Sequence, residues 1–467
     1  MKKYNIRITA VILIITIILA LFSACADSNK KDSKTENLFV MPEMTGKLLI
    51  YKYSYYDNLI DAAVKIYQNE YPNVEVKIFE FGDEYYDTLK TEVAAGKGPD
   101  VWIGTSNDFD DIYKTADTGV FEDLKEFMKT DGTNWNLYNK MVLDGGIYKS
   151  KQYFLPIGYQ VNILMTTEEI MREEKIEFDK IKTASDLMKT IRQFQQKYTP
   201  QEKCLFREPE SSQRADSWLS HYFPWSNIAF INYETGNIIN DSETFRNVAD
   251  AVKWAYTDEF GMVYSSYGGA SASLISKEKL FVSFNSGDPI GDFYLNYGLL
   301  DYYCKPLFMA FPDIDGKVTA SVELLGAVFK NSNNKLNAYN FLKILLSERI
   351  QASEILDIQL CICVPVTKSA IKIRIDEILE RQTEVFKDEP WQHFNESGYI
   401  DKWSNPLPKE EAEKFSDMLI NIDHCVIQPV SWTGMFNKSF KPYFEDKKTY
   451  EQCFDVFKNN LELYFSE

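Results

Sequence analysis

The chain has 467 residues, of which 26% are charged, and its net charge is −18. This length is more than one hydrophobic core usually organises, so we expect at least two folded lobes. A strongly acidic protein repels phosphate backbones, which argues against binding to nucleic acid. Aromatic residues make up 15% of the chain, and this high share indicates surfaces on which planar groups can stack.

The N-terminus has the pattern of a secretory signal. A basic start precedes an uncharged, mostly apolar run over residues 8–24, which ends in the sequence LFSAC. Small residues directly before Cys25 resemble a bacterial lipobox, in which cleavage leaves the cysteine as a lipidated first residue. We predict a signal peptide over residues 1–24 and a lipid-anchored, flexible linker over residues 25–45. The alternative is an uncleaved anchor, but the run is shorter than the roughly 20 residues of a spanning helix.

Helices and strands alternate at short intervals after the linker. Apolar spacing predicts, in chain order, a strand at Gly46–Tyr53, a helix at Asp57–Pro72, a strand at Val74–Phe81, a helix at Tyr85–Ala95 and a strand at Val101–Ile103. This order indicates a parallel, doubly wound sheet.

The junction AAGKGPDV separates the second helix from the third strand. Gly96 can adopt the left-handed conformation that ends a helix, and Pro99 prevents the helix from resuming. We expect Pro99 and Asp100 to have structural roles, and Trp102 within the strand to pack in the core.

The rest of the chain continues the mixed pattern. The sequence predicts a strand at Val161–Met165, followed by a helix that Thr166 or Thr167 caps. Helices with aromatic-rich loops follow, then a strand, an Asp-Gly turn and a second strand. The last hundred residues are predicted to be mainly helical.

Four stretches, YQNEYPNVEV, AAGKGPDVWI, GVFEDL and YFLPIGY, follow one another in this order behind the lipobox pattern. Together with LLGAVFKNSNNKLNAYNFLKILLS, they resemble the extracellular solute-binding proteins of ABC importers, family 1, whose best-known members bind maltose. The resemblance covers about Gly46–Met165 and Ser321–Pro365. One departure is the segment Gly104–Ser106, which stands where the maltose-binding relatives carry an aromatic residue, so a maltose pocket is not expected.

The resemblance implies an α/β, two-lobed type II periplasmic-binding-protein fold with doubly wound sheets and a ligand cleft between the lobes. On this basis lobe one comprises residues 46–157 and 318–365, and lobe two comprises residues 158–317 and 366–467. The chain crosses between the lobes near residues 156–161, 318–324 and 365–368, which suits closure about a hinge.

The function that the resemblance implies is that of a substrate-binding lipoprotein of an ABC importer. The protein would be a monomer on the outer face of the cytoplasmic membrane, capture a small solute and deliver it to permease subunits, without a cofactor or metal. An oligosaccharide is the preferred ligand; a polyamine or a peptide, and a sensory role, remain alternatives. A secreted glycosidase is a more remote alternative, because 69 acidic residues could include a catalytic pair.

Candidate ligand residues are the aromatic and polar side chains of the loops. Sugar rings stack on Trp or Tyr, and their hydroxyl groups need carboxylate or amide partners. The loop after the first strand offers Tyr53, Tyr55, Tyr56 and Asp57. The remaining candidates are Asn107, Asp108, Tyr159, Trp218, Trp225, Asn285, Asp288, Glu323 and Trp432.

Six cysteines follow Cys25. They are Cys204, Cys304, Cys361, Cys363, Cys425 and Cys453. Their spacing is not that of a metal site, and the sequence leaves their pairing open; free buried thiols are the preferred interpretation.

Overall fold

Two separate sheets organise the chain. The computed structural model describes residues 44–199, 202–203, 226–228, 230–232, 235–239, 242–255, 274–277, 279–284, 289–352, 363–385, 393–394, 400–401, 405–427 and 430–466. The predicted signal peptide, the predicted lipidation site Cys25 and nearly all of the predicted linker lie outside these ranges. In the described part, no helix is long and apolar enough to cross a membrane.

The strands are β1 (Gly46–Tyr53), β2 (Val74–Phe81), β3 (Val101–Gly104), β4 (Ile147–Tyr148), β5 (Lys151–Gln152), β6 (Leu155–Val161), β7 (Ile163–Thr167), β8 (Ile231–Asn232), β9 (Asn237–Ile238), β10 (Val282–Phe284), β11 (Pro306–Ala310), β12 (Thr319–Val328), β13 (Val364–Pro365), β14 (His393–Phe394), β15 (Ile400–Asp401) and β16 (His424–Val426).

The α-helices are α1 (Asp57–Glu70), α2 (Tyr85–Ala94), α3 (Ile112–Asp117), α4 (Lys125–Thr130), α5 (Lys140–Asp144), α6 (Glu168–Glu174), α7 (Ala184–Gln195), α8 (Glu243–Ala255), α9 (Pro289–Tyr303), α10 (Lys335–Leu345), α11 (Glu348–Gln351), α12 (Lys368–Val385), α13 (Lys409–Ile420), α14 (Val430–Phe444) and α15 (Tyr450–Ser466).

The larger sheet contains the predicted β-α-β-α-β unit. Its strand order is β13-β6-β12-β3-β1-β2, and β16 pairs with β12 outside this path. β1 pairs in parallel with β2 along its whole length and with β3 at Ile50. The predicted parallel arrangement of the first three strands is therefore confirmed, and its helices begin and end within a few residues of the predicted positions.

The smaller sheet has the order β10-β7-β11, and its pairs are antiparallel. The chain leaves the larger sheet at Asn162, between β6 and β7, and returns between β11 and β12. β6 stays paired with β12 as far as Val161, opposite Ala320, so the first crossing lies beyond the boundary drawn after residue 157. β16 also belongs to the larger sheet, although the sequence placed residues 366–467 wholly in lobe two.

Asp100 holds the glycine-rich junction in place. Its Oδ2 accepts a hydrogen bond from the Leu49 amide at 2.7 Å, and its Oδ1 accepts one from Ser332 Oγ at 2.5 Å. Gly96 and Gly98 both have positive φ angles, which glycine adopts without strain. The buried carboxylate thus ties β1 and β3 to the loop before α10, which confirms its structural role.

Much of the aromatic content forms core. Trp102 is 1% exposed, as predicted, and its ring meets Phe109 edge to face at 5.0 Å. Near the C-terminus, Phe436 packs against Phe440 of the same helix at 4.7 Å and against Phe230 at 6.1 Å. The high share of aromatic residues therefore reflects packing as well as any binding surface.

Among the described cysteines, Cys304, Cys425 and Cys453 are free thiols. Cys363 and Cys453 are buried, and Cys304 and Cys425 are half-buried. Cys204 and Cys361 lie outside those ranges.

Candidate functional site

Several predicted ligand loops meet at one edge of the larger sheet. β1, β2, β3 and β6 all run in the same direction, because β3 and β6 are both antiparallel to β12. Their carboxyl ends, at Tyr53, Phe81, Gly104 and Val161, therefore lie on the same edge. The crossing into β7 leaves from this edge, and β12 begins there. We call this region the carboxyl edge.

Three tyrosine rings form a cluster at the carboxyl edge. Tyr85 is 1% exposed and stacks on Tyr53 at 5.4 Å, with 25° between the ring planes. Tyr86 meets Tyr53 at 5.3 Å and Tyr85 at 5.4 Å. Tyr53 and Tyr86 are half-buried, so the cluster presents part of two rings to solvent and rests on a buried third.

The loop after β3 supplies polar groups beside these rings. Thr105 and Asp108 form a reciprocal cap on a short 3-10 turn, and Asp108 Oδ2 also accepts a hydrogen bond from Trp102 Nε1 at 2.9 Å. Burial raises the pKa of Asp108 to about 6, although the hydrogen bonds from Trp102 and Thr105 act to lower it. Asn107 is exposed, so a ligand can reach it.

The carboxylate of Asp108 explains the glycine at position 104. A Cβ atom on Gly104 would lie 1.9 Å from Asp108 Oδ2 and 2.8 Å from Trp102 Nε1. A larger residue would have to displace this buried hydrogen bond. The small residue at the end of β3 is therefore a requirement of the loop that follows it.

Glu323 lies in an interruption of the larger sheet. On one side of β12, β3 pairs from Leu325 onward and β16 pairs as far as Ser321, so neither strand is opposite residues 322–324. On the other side, the register with β6 shifts at the same place, and such bulges re-aim side chains. Ser321 Oγ donates to Glu323 Oε1 at 2.9 Å.

Protein atoms surround this carboxyl group, although part of Glu323 stays accessible to solvent. Burial raises the pKa of Glu323 to about 7, and the hydrogen bond from Ser321 acts in the opposite direction. In the described ranges no Lys, Arg or His forms an ion pair with it. The thiol of Cys425, on β16, lies close enough for the charge of Glu323 to raise the pKa of the thiol, in addition to the larger effect of burial. Glu323 is thus a half-buried carboxyl group that can exchange a proton near neutral pH.

Asp57 is engaged by a lysine. Its Oδ1 is 3.3 Å from Lys52 Nζ, which also contacts Asp61 at 3.1 Å and Glu80 at 2.8 Å. Burial acts to lower the pKa of Lys52, but hydrogen bonds with Glu80, Asp61 and Asp57 outweigh it and raise the pKa above its ordinary value. Asp57 therefore helps to neutralise a buried lysine.

Three predicted ligand residues are buried. Tyr56 is 6% exposed, Tyr159 is 0% exposed and Trp432 is 8% exposed. The Tyr159 hydroxyl donates to the Leu419 carbonyl at 2.6 Å, and Trp432 packs on Phe230 at 5.9 Å. Burial favours packing roles for all three, and ligand contact by them stays an untested prediction.

The other candidates divide into two groups. The structure brings Tyr53, Asn107, Asp108 and Glu323 to the carboxyl edge. Trp218, Trp225, Asn285 and Asp288 lie outside the described residues, as does the side chain of Tyr55.

Sequence reasoning missed Tyr86 and Lys90. Both lie on α2, one turn apart, and Lys90 Nζ contacts Asp110 Oδ1 at 2.6 Å, so this face of α2 points to the loop after β3. The available signal was position, because Tyr86 lies in the first turn of the helix that follows β2. In the described ranges, no group of three or more His, Cys, Asp or Glu side chains could hold a metal ion.

The family model for bacterial extracellular solute-binding proteins matches residues 62–386. The chain therefore belongs to this family, which confirms the resemblance found in the sequence, and it is a solute-binding protein. A comparison with curated protein sequences gave no match.

Solved structures show the same fold. The sugar-binding protein MalE from Xanthomonas citri is similar with a TM-score of 0.61 at 12% identity, over 90% of this chain and 97% of that one. The ABC substrate-binding protein Lmo0181 from Listeria monocytogenes, solved with cycloalternan, gives 0.53 at 13% identity, over 91% and 100%. The cyclic α-maltosyl-1,6-maltose binding protein from Arthrobacter globiformis gives 0.58 at 12%, over 90% and 99%. The predicted two-lobed α/β fold is confirmed.

Proposed function

We propose that this protein is the substrate-binding component of an ABC importer and that it captures an oligosaccharide at the carboxyl edge. The observation that carries the proposal is the pair of half-buried rings, Tyr53 and Tyr86, at the same edge of the sheet as the exposed residue Asn107. Sugar rings offer C–H faces that stack on aromatic rings and hydroxyl groups that need polar partners. The ligands named for the similar structures, which include cycloalternan and cyclic α-maltosyl-1,6-maltose, support the same class.

A polyamine is the second candidate ligand, and the state of the carboxyl groups at the carboxyl edge disfavours it. A cationic ligand needs ionised carboxylates that are not already paired. Asp57 is paired with Lys52, and Asp108 is buried and bonded to Trp102 and Thr105. Burial raises the pKa of Glu323 to about 7, which favours its neutral form. A peptide ligand and a sensory role remain open alternatives, because a binding protein of this fold can serve either.

The proposed location follows from the N-terminus. Lipidation of Cys25 would anchor the protein to the outer face of the cytoplasmic membrane, and residues 25–45 would tether the folded part near a permease.

The proposed binding mechanism is hinge closure. The protein would act as a monomer with two lobes, joined by the crossings at Asn162 and before β12, and the lobes would close on the ligand. Such closure delivers one bound molecule without chemistry, so no catalytic residue is proposed.

A thermal-shift panel followed by calorimetry tests the ligand class. The panel contains maltotriose, raffinose, xylotriose, cyclomaltohexaose, spermidine and a tripeptide mixture. We expect an oligosaccharide to raise the unfolding midpoint and to bind with a Kd on the order of μM, or about −8 kcal/mol. Tight binding of spermidine with no response to any oligosaccharide would replace the sugar proposal by the polyamine alternative.

A further inference from the structure

Tyr86 occupies a position from which it can reach a ligand. It is the second residue of α2, and only residues 82–84 separate this helix from the carboxyl end of β2, so Tyr86 lies at the carboxyl edge. Its ring is half-buried and contacts Tyr53 and Tyr85 at 5.3 and 5.4 Å. Because Tyr85 is buried beneath both neighbours, the two accessible rings are fixed before any ligand arrives, which lowers the entropic cost of stacking.

The polar surroundings of Tyr86 suit a hydroxyl-rich ligand. Burial raises the pKa of Tyr86 to about 12, and the negative charge of Asp108 and the contact with Tyr53 add to this effect. The ring therefore stays a neutral phenol that lies near the loop after β3. Lys90, one turn further along α2, contacts Asp110 of that loop, and Asn107 of the same loop is exposed.

The loop after β3 is itself unable to supply an aromatic surface at its start. Position 104 has no room for a side chain, because Asp108 Oδ2 would lie 1.9 Å from a Cβ atom there. Thr105 is occupied in the cap of the 3-10 turn, and Ser106 is 8% exposed. Among the described residues, β1 and α2 supply aromatic surface at this edge through Tyr53 and Tyr86.

We propose that Tyr86 on α2, with Tyr53 at the end of β1, forms the face on which a sugar ring stacks, and that Asn107 binds a hydroxyl group of the same ring. The inference rests on the proposed function, and it adds a residue from a helix that the sequence had not singled out. Tyr86 thereby helps to set specificity for ligands with a flat C–H face.

Calorimetry on three variants tests the proposal with the oligosaccharide panel described above. Tyr86→Ala should weaken binding by about tenfold or more, the scale of a lost aromatic contact. Tyr86→Phe keeps the ring and should stay within about threefold of the parent affinity. Tyr71→Ala is the matched control, since Tyr71 is also half-buried but follows α1 at the opposite edge of the sheet, and it should leave the affinity unchanged.

Hydroxyl-radical footprinting of the unmodified protein supplies an independent readout if the alanine variant does not fold. The bound oligosaccharide should protect Tyr86 from oxidation and leave Tyr71 as reactive as before. If the parent protein binds an oligosaccharide and neither Tyr86→Ala nor footprinting shows an effect at Tyr86, the stacking inference alone is overturned. If the parent protein binds none of the oligosaccharides, the proposed function is overturned and the inference with it.

Discussion

The hydroxyl of Tyr464 donates a hydrogen bond to Asp111 Oδ2 at 2.5 Å. Tyr464 lies near the end of α15, which packs on α14 and on the segment around Gly236. Asp111 caps α3, directly after the loop that follows β3. Lys114 Nζ lies 3.8 Å from the centre of the Tyr464 ring and donates a hydrogen bond to the backbone carbonyl of Tyr464. The C-terminal helix is thus attached to the first part of the chain, more than 300 residues away in sequence.

Removing this hydroxyl should loosen the end of α15. We expect Tyr464→Phe to lower the free energy of unfolding by about 1 kcal/mol, because the hydrogen bond to a carboxylate is lost while the ring and its contact with Lys114 remain. Amide exchange over residues 460–466 should become faster. Tyr302→Phe is the control, as Tyr302 is 48% exposed. Unchanged exchange at the helix end would show that packing alone holds it.

Glu323 should make stability depend on pH. Its pKa rises from an ordinary value of 4.5 in the unfolded chain to about 7 in the folded protein, so the folded state holds the proton more tightly. The resulting stabilisation is complete below pH 4.5 and is lost as the pH rises through 7. Glu323→Gln keeps the neutral form at every pH, so it should be the more stable protein at pH 8, by about 1–3 kcal/mol.

Urea denaturation of both proteins at pH 5, 6, 7 and 8 measures this difference. The two unfolding free energies should converge toward pH 5. A difference that is the same at all four pH values would mean that Glu323 does not change its protonation in this interval.

A methyl group at position 104 should disrupt the loop after β3. Gly104→Ala places a Cβ where Asp108 Oδ2 lies, so the carboxylate must move and the hydrogen bond from Trp102 is lost. We expect a loss of about 2–4 kcal/mol in unfolding free energy and a change in Trp fluorescence. Gly434→Ala is the matched control, because among the described residues no atom beyond its chain neighbours and its own helix backbone lies within 4 Å of the added Cβ. Equal stability of the two variants would contradict the steric account.

Trp432 separates packing from binding. At 8% exposure and in contact with Phe230, its removal in Trp432→Ala should lower the unfolding free energy by about 3 kcal/mol. Affinity for the oligosaccharide should stay nearly constant once folded protein is compared at equal concentration. The opposite pattern, an unchanged midpoint with a loss of affinity, would support the prediction made from the sequence that Trp432 contacts the ligand.

The sequence by itself determined the local elements and the family. Periodicity gave β1, α1, β2, α2 and β3 nearly to the residue, since the apolar spacing of each element is a property of its own few residues. The junction at Gly96–Asp100 was equally readable, because positive φ angles and a proline act on the local backbone. Short ordered motifs were enough to indicate the two-lobed fold.

Only the tertiary structure decided which side chains face the carboxyl edge. Tyr53, Tyr56 and Asp57 looked alike in one loop, but the fold leaves the first half-buried at the edge, buries the second and pairs the third with Lys52. Tyr86 joins Tyr53 because parallel pairing of β1 with β2 brings their ends together. Burial, bulges and ion pairs depend on contacts between segments that are distant in sequence. A local sequence pattern therefore cannot predict them.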